Sequence, residues 1–216
     1  MFIYNIRDAD DVDLIQVIDA EKDKSKVNNI ALLAGASSIL VSYDSGVVTQ
    51  YFQVNGPKGR LYKEIREFSG LPPVASMASE FYRKSFAVVS PEGELSLLYT
   101  TSERELFDKT FDLKNPGAMG FSPRSNGLVV EANNQLNIFH VENAHPEVSW
   151  SALWNKVWYE GYPEPKFVWQ STSGSDDFEA KLSLMPLAFG TMKAAFYAML
   201  FAVPLAGWPL LAGCYF

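Results

Sequence analysis

Three stretches of the chain alternate apolar and polar positions with a period of two, each interrupted once by a short polar turn. They are ILVSYDSGVVTQYFQV from Ile39 to Val54, FAVVSPEGELSLLYTT from Phe86 to Thr101, and GLVVEANNQLNIFHV from Gly127 to Val141. Apolar, β-branched runs on both sides of a turn predict an antiparallel hairpin in each case. The turn pairs Ser45-Gly46, Glu92-Gly93 and Asn133-Asn134 hold residue types that accept left-handed backbone, as a two-residue hairpin loop requires. With that register, Val41, Val88 and Val129 occupy equivalent positions ahead of the turns and are expected to be buried.

The spacing adds a higher order. Gly46 and Gly93 are 47 positions apart, and Gly93 and Asn134 are 41 apart. Repeats of that length accommodate one four-stranded blade each. An inner strand rich in small residues precedes each hairpin, at Ala31–Ala34, Val74–Ala78 and Gly117–Ser122, as close packing beside a central channel favours. Outer strands with alternating charge follow the first two hairpins at Arg60–Phe68 and Glu105–Leu113, and Phe121-Ser122-Pro123 has the form of a blade-opening turn. The expected fold is mainly β: about three incomplete WD40-like β-propeller blades over residues 1–148. A ring takes four to eight blades, so further blades are expected upstream of Met1; an ordinary antiparallel sandwich is the alternative.

From Ser149 the period changes. Trp150, Leu153, Trp154, Val157 and Trp158 follow helical spacing and predict an amphipathic helix, whose tryptophan face suits either a membrane interface or docking on the β-domain. Residues 149–181 thus read as an amphipathic helix and linker, with Ser171–Ala180 a hydrated loop. Residues 182–216 read as a membrane segment. All 25 acidic residues precede Leu182, and only Lys193 of the 18 basic ones follows it. The 23 uncharged residues from Ala194 to Phe216 make a helix of about 34 Å, enough for a bilayer core of about 30 Å. The span is expected to begin between Leu184 and Gly190. Its landmarks are Pro186, Gly190, Thr191, Lys193 and Pro204, with Lys193 near enough to the end to snorkel.

Charge and cysteine usage narrow the class. The formal charge is −7, and an acidic β-domain argues against a nucleic-acid surface. The single cysteine, Cys214, forms no intrachain disulfide and is third from the end, which fails the prenylation pattern. The N-terminus, MFIYNIRDADDVD, has no apolar signal core, so any export signal is expected outside this chain.

Candidate chemistry is sparse. Asp8, Asp10, Asp11 and Asp13 lack the glycine of a calcium loop and read as a solvated acidic turn. His140 and His145 are five apart, off helical spacing, and no cysteine stands near to complete a zinc site. Asp176, Asp177 and Glu179 read as a hydrated juxtamembrane loop. Nucleophile triads, phosphate-binding glycine loops and cofactor motifs are absent from the sequence, so neither an enzyme nor a cofactor is expected.

The stretch from Leu153 to Ala206 resembles the permease subunit of bacterial phosphate ABC transporters, in the large proteobacterial form with a domain inserted between its first two membrane helices. The resemblance rests on Phe178-Glu179 leading into Leu182–Leu187, on Gly190-Thr191, and on the Ala-rich run ending Val203-Pro204-Leu205-Ala206. It implies a bacterial inner-membrane location with a periplasmic β-domain. The implied partners are a second permease subunit, an ATPase, a phosphate-binding protein and membrane lipid. After Ala206 the chain reads GWPLLAGCYF and departs from the family pattern, so no coupling motif is expected in it. The alternative is a membrane-anchored β-propeller scaffold with no transport role.

Overall fold

In each of the predicted hairpins the second strand folds back on the first, and apolar side chains then project from both sheet faces. Such a sheet must be covered on both sides, and here neighbouring sheets cover one another. The structure, a computed structural model, describes residues 1–8, 11–20, 25–56, 59–170 and 179–212 (backbone only for Arg7, Asp8 and 206–212).

A hairpin of β1 (Phe2–Asp8) and β2 (Asp11–Val17) comes first. Blade 1 is an antiparallel sheet of β3 (Val27–Leu32), β4 (Ser38–Tyr43), β5 (Val48–Gly56) and β6 (Gly59–Phe68), in that order. Blade 2 repeats the arrangement with β7 (Ser76–Ser79), β8 (Ser85–Val89), β9 (Glu94–Tyr99) and β10 (Arg104–Thr110). Blade 3 holds three paired strands, β11 (Met119–Phe121), β12 (Gly127–Ala132) and β13 (Gln135–His140). The inner strands β3, β7 and β11 are neighbours in sequence order. Among the described residues the molecule is mainly β, built as three propeller-like blades.

The core lies between blades. Leu33, Leu40, Val48 and Phe68 of blade 1 meet Val74, Met77, Phe86, Val88 and Leu98 on blade 2. Phe68 and Phe86 pack edge to face at 5.2 Å. Ala87, Val89 and Leu95 on the other face of blade 2 meet Leu128, Val130 and Ala132 of blade 3. Met1 and Ile18, flanking the β1–β2 hairpin, cover Val41, Tyr43 and Tyr51 on the outer side of blade 1.

Turn geometry corrects the expected frame. Tyr43 N–H donates to Val47 O and Gly46 N–H to Tyr43 O, so the loop has three residues ending in a left-handed glycine, φ 81°. Ser90–Glu94 repeats this, with Gly93 at φ 88°. Only Asn133-Asn134 is a two-residue loop, with φ 58° at both positions and Ala132 paired to Gln135. The missing residue shifts the third hairpin by one, and a shift of one exchanges the two sheet faces. Val41 and Val88 are buried as expected, whereas Val129 is only half-buried and Val130 takes the core position.

Among the described residues no fourth strand pairs with blade 3. Residues 142–170 and 179–184 instead run back past the loops between the first and second strands of blades 2 and 1 and the loop between the third and fourth strands of blade 2. Of the predicted helix Trp150–Trp158, only α1 (Trp150–Trp154) forms, capped by Ser149 Oγ accepting from Ala152 N–H. It stops because Asn155 is extended, and Val157 pairs with Lys166 in a β-bridge. Helical spacing lost to tertiary pairing here, as a single turn has little stability of its own. β14 (Trp169–Gln170) and β15 (Lys181–Leu182) then pair, and α2 (Met185–Ala212) follows.

Candidate functional site

The returning segment is fastened to the blades by buried polar groups, and this junction is the chemically richest part of the molecule. Glu160 sits at its centre. Its carboxylate accepts from the hydroxyls of Ser37 and Ser38, in and just after the β3–β4 loop, and pairs with Lys84 Nζ at 2.8 Å. Lys84, in the β7–β8 loop, also donates to Ala34 O at 2.6 Å and is almost wholly buried. Ser37, Ser38 and Lys84 come from two blades, so Glu160 bolts blade 1 to blade 2 as well as holding the strap.

A second arm begins at Ser38. Gln50 donates to Ser38 Oγ at 3.0 Å and accepts from Arg66 Nη1 at 3.0 Å. Arg66 Nη2 donates to the Trp158 carbonyl, and Arg66 Nε lies 3.4 Å from exposed Glu103, an ion pair without hydrogen-bond geometry. The Trp158 ring packs edge to face against Phe52 and takes Lys63 at 5.3 Å. Trp158 is therefore a docking residue on blade 1.

Glu179 forms the third arm. Its carboxyl accepts from Thr101 Oγ1 at 2.5 Å and from the Glu160 N–H at 2.9 Å. The expectation of a hydrated loop fails at this residue, which is buried. Asp176 and Asp177, with the rest of 171–178, lie outside the described residues. Burial pushes the Glu179 carboxyl above its usual range; Arg66 opposes the shift, and the neighbouring Glu160 adds to it. Tyr159, buried beside them, is pushed up to about 12 by burial and by Glu179. Glu80 is a second buried acid, raised by burial and partly offset by Arg83; Asn143 and Ser85 stand close, but neither carboxyl oxygen reaches hydrogen-bond geometry.

The strap then delivers the helix. Tyr159, Val157 and Ala152 form a small core with Tyr162 and Val168. Ser183 N–H donates to Val168 O at 3.0 Å and Leu184 N–H to Leu153 O at 2.8 Å, tying the start of α2 to α1. Pro186 lies in the first turn of α2, where its missing N–H costs nothing. Gly190 faces open space. Thr191 Oγ1 donates to Leu187 O at 2.8 Å, hiding its hydroxyl within the helix. Lys193 Nζ stands 5.8 Å from the Tyr197 ring centre, and the helix continues through Pro204. From Met185 to Leu205 α2 is long and apolar enough to cross a membrane, and none of that stretch is buried against the blades.

The other sequence candidates do not assemble. Asp8 and Asp11 pair across the β1–β2 hairpin, Asp11 and Asp13 are exposed, and Asp10 lies outside the described residues. His140 and His145 are exposed with separate partners, Glu142 at 3.5 Å and Glu147 at 3.3 Å. Among the described residues no three His, Cys, Asp or Glu side chains gather to hold a metal. Sequence reading missed the junction because its members come from separate loops, Ser37 and Glu160 lying 123 positions apart. The one available signal was Lys84 and Arg66 in otherwise strand-like surroundings.

No family model matches the chain, and no curated protein does. Among solved structures it is similar to a chain of the mitotic checkpoint complex, at 13% identity and TM-score 0.49, covering 64% of this chain and 41% of that one. It is also similar to the β-propeller domain of Myceliophteria thermophila Cps50 (Swd1), at 12% identity and TM-score 0.47, covering 54% and 40%. The chain thus spans about two fifths of either.

Proposed function

We propose that this chain is a membrane-anchored interaction module, a part of the permease of a phosphate-import ABC system, with α2 crossing the inner membrane and the blades on the periplasmic side. The observation that carries the anchored-module reading is the junction: a buried network spanning two blades holds the segment that leads directly into an apolar, uncovered helix. A flexible tether would not need Lys84, Arg66 and Glu179 buried at its root around a partly buried Glu160, since burying charge without need is costly. Such a root fixes the blades relative to the membrane, as a docking platform requires.

The transport assignment rests on the resemblance from Leu153 to Ala206, and phosphate recognition in such systems belongs to a separate binding protein. The blades therefore serve as a surface for that protein or another envelope partner, with the second permease subunit and the ATPase engaging elsewhere. Phosphate uptake in cells carrying and lacking the gene tests this. Loss of high-affinity uptake on deletion, restored by the intact gene but not by one with the blades removed, is the expected outcome. Uptake unchanged by the deletion, with the protein of the parent cells found in the membrane, leaves the scaffold reading.

A further inference from the structure

Around the root of α2 the surface is aromatic. Trp150 is 80% exposed, Trp154 42%, Trp169 41% and Phe167 36%. These are not scattered. Trp150 and Trp154 are four apart on the single turn of α1, hence on one face. Leu153, between them, accepts from the N–H of Leu184, one residue ahead of α2. Phe167 and Trp169 are two apart around inward-packed Val168, and Trp169 pairs with Leu182. In the β7–β8 loop, on the same side of the blades, Phe81 and Tyr82 are exposed, and Tyr82 lines a cleft with Ala180.

We propose that this ring of aromatics is a membrane-contact surface: it lies in the interfacial layer of the bilayer that α2 enters, so the blades rest on the lipid rather than stand off it. The proposal rests on the anchored reading of α2. The occupant is lipid, because the ring borders the start of an apolar helix that, among the described residues, nothing covers. Indole and phenol rings combine an apolar body with a polar edge, which is what headgroup depth accommodates. Lys156 lies 5.8 Å over Phe167, placing a cation on a long stem beside the ring, whereas Lys166 pairs with Glu164 at 3.7 Å and Lys181 donates to Gln170 at 3.0 Å. Trp158, by contrast, faces Phe52 and is no part of the ring.

The test uses the full chain in phosphatidylcholine vesicles with Cys214→Ser, carrying a nitroxide at one of four positions: Trp150→Cys, Trp169→Cys, Phe201→Cys or Glu92→Cys. Collision with oxygen, which concentrates in lipid, is compared with collision with a water-soluble nickel complex. All four positions are exposed, so a label at each can reach the surroundings. The expected order of oxygen-to-nickel ratio is lowest at 92, several-fold higher at 150 and 169, and highest at 201. If 150 and 169 match 92 while 201 is lipid-buried, the contact surface is wrong and the anchor stands. If 150 and 169 are shielded from both reagents, protein covers the ring and the proposal falls. If 201 matches 92, the anchor itself fails and the ring with it.

Discussion

Two glycines let the link to the next blade cross a hairpin turn at close range. A Cβ on Gly46 would stand 2.0 Å from Leu71 O, and one on Gly93 2.4 Å from Phe111 O, where the link to the next blade crosses the turn. Both also adopt left-handed backbone. Gly70 shares that backbone, with φ 86°, but a Cβ there meets nothing. Gly46→Ala and Gly93→Ala should each cost well over the strain of about 1 kcal/mol expected for Gly70→Ala. Urea unfolding of the intact chain in detergent, followed by tryptophan fluorescence, checks the difference.

The two buried acids belong to the same scale. Glu179 and Glu80 both have folded-state values raised above 4.5, so between that value and the raised one the folded chain binds more protons than the unfolded chain. Stability contributed by these groups is therefore greatest at low pH and is lost as pH rises through the window. Glu179→Gln should flatten that slope while leaving the fold intact. Glu179→Ala, which strands Thr101 and the Glu160 N–H, should cost about 1–3 kcal/mol. A steeper loss of stability with rising pH in Glu179→Gln than in the parent would contradict the assignment. None of this was legible in the chain: Glu179 stands next to a charged, polar stretch, and only a fold that brings Thr101 to it makes it a buried group.

At the level of elements, the hairpins were readable because period-two alternation and turn chemistry are local. Loop length was not, since Asp44-Ser45-Gly46 and Asn133-Asn134 both satisfy the requirement for left-handed residues. The consequence is a sharp contrast within β12. Val130→Ala should cost about 2 kcal/mol, as its side chain is wholly inside the interface with blade 2, and Val129→Ala under about 0.5 kcal/mol. The amphipathic helix was overpredicted for a related reason: Trp150, Leu153, Trp154, Val157 and Trp158 fit helical spacing, but Val157 and Trp158 find better partners in Lys166 and Phe52. Blade 3 shows the opposite situation. Leu136 and Ile138 on β13 are exposed, and no strand among the described residues pairs with its outer edge. Open apolar edges promote association, so Ile138→Lys should raise the soluble fraction of the detergent-extracted chain in a sedimentation assay.

On the scale of the whole molecule, the blades, strap and helix form one sequence of attachments, from Ser37 and Lys84 through Glu160 and Glu179 to Leu184. Removing one partner of the Lys84–Glu160 pair, as in Lys84→Met, should cost about 3–5 kcal/mol if the pair behaves as fully buried, and less in proportion to the water that reaches Glu160. The apolar run beyond Lys181 was plain from charge alone, and α2 begins within it at Met185. In a bilayer, Lys193→Leu should leave insertion unchanged, whereas Met199→Lys should cost about 2.5–3.5 kcal/mol of insertion energy. The most direct measurement of the central arrangement is labelling by a membrane-impermeant maleimide of Glu92→Cys and Met199→Cys, each in a Cys214→Ser background, in spheroplasts and in opened membranes. The account predicts that position 92 labels in both preparations and position 199 in neither. Labelling at 199 as readily as at 92 in opened membranes would contradict a buried span, and labelling at 92 only after opening would place the blades on the other side.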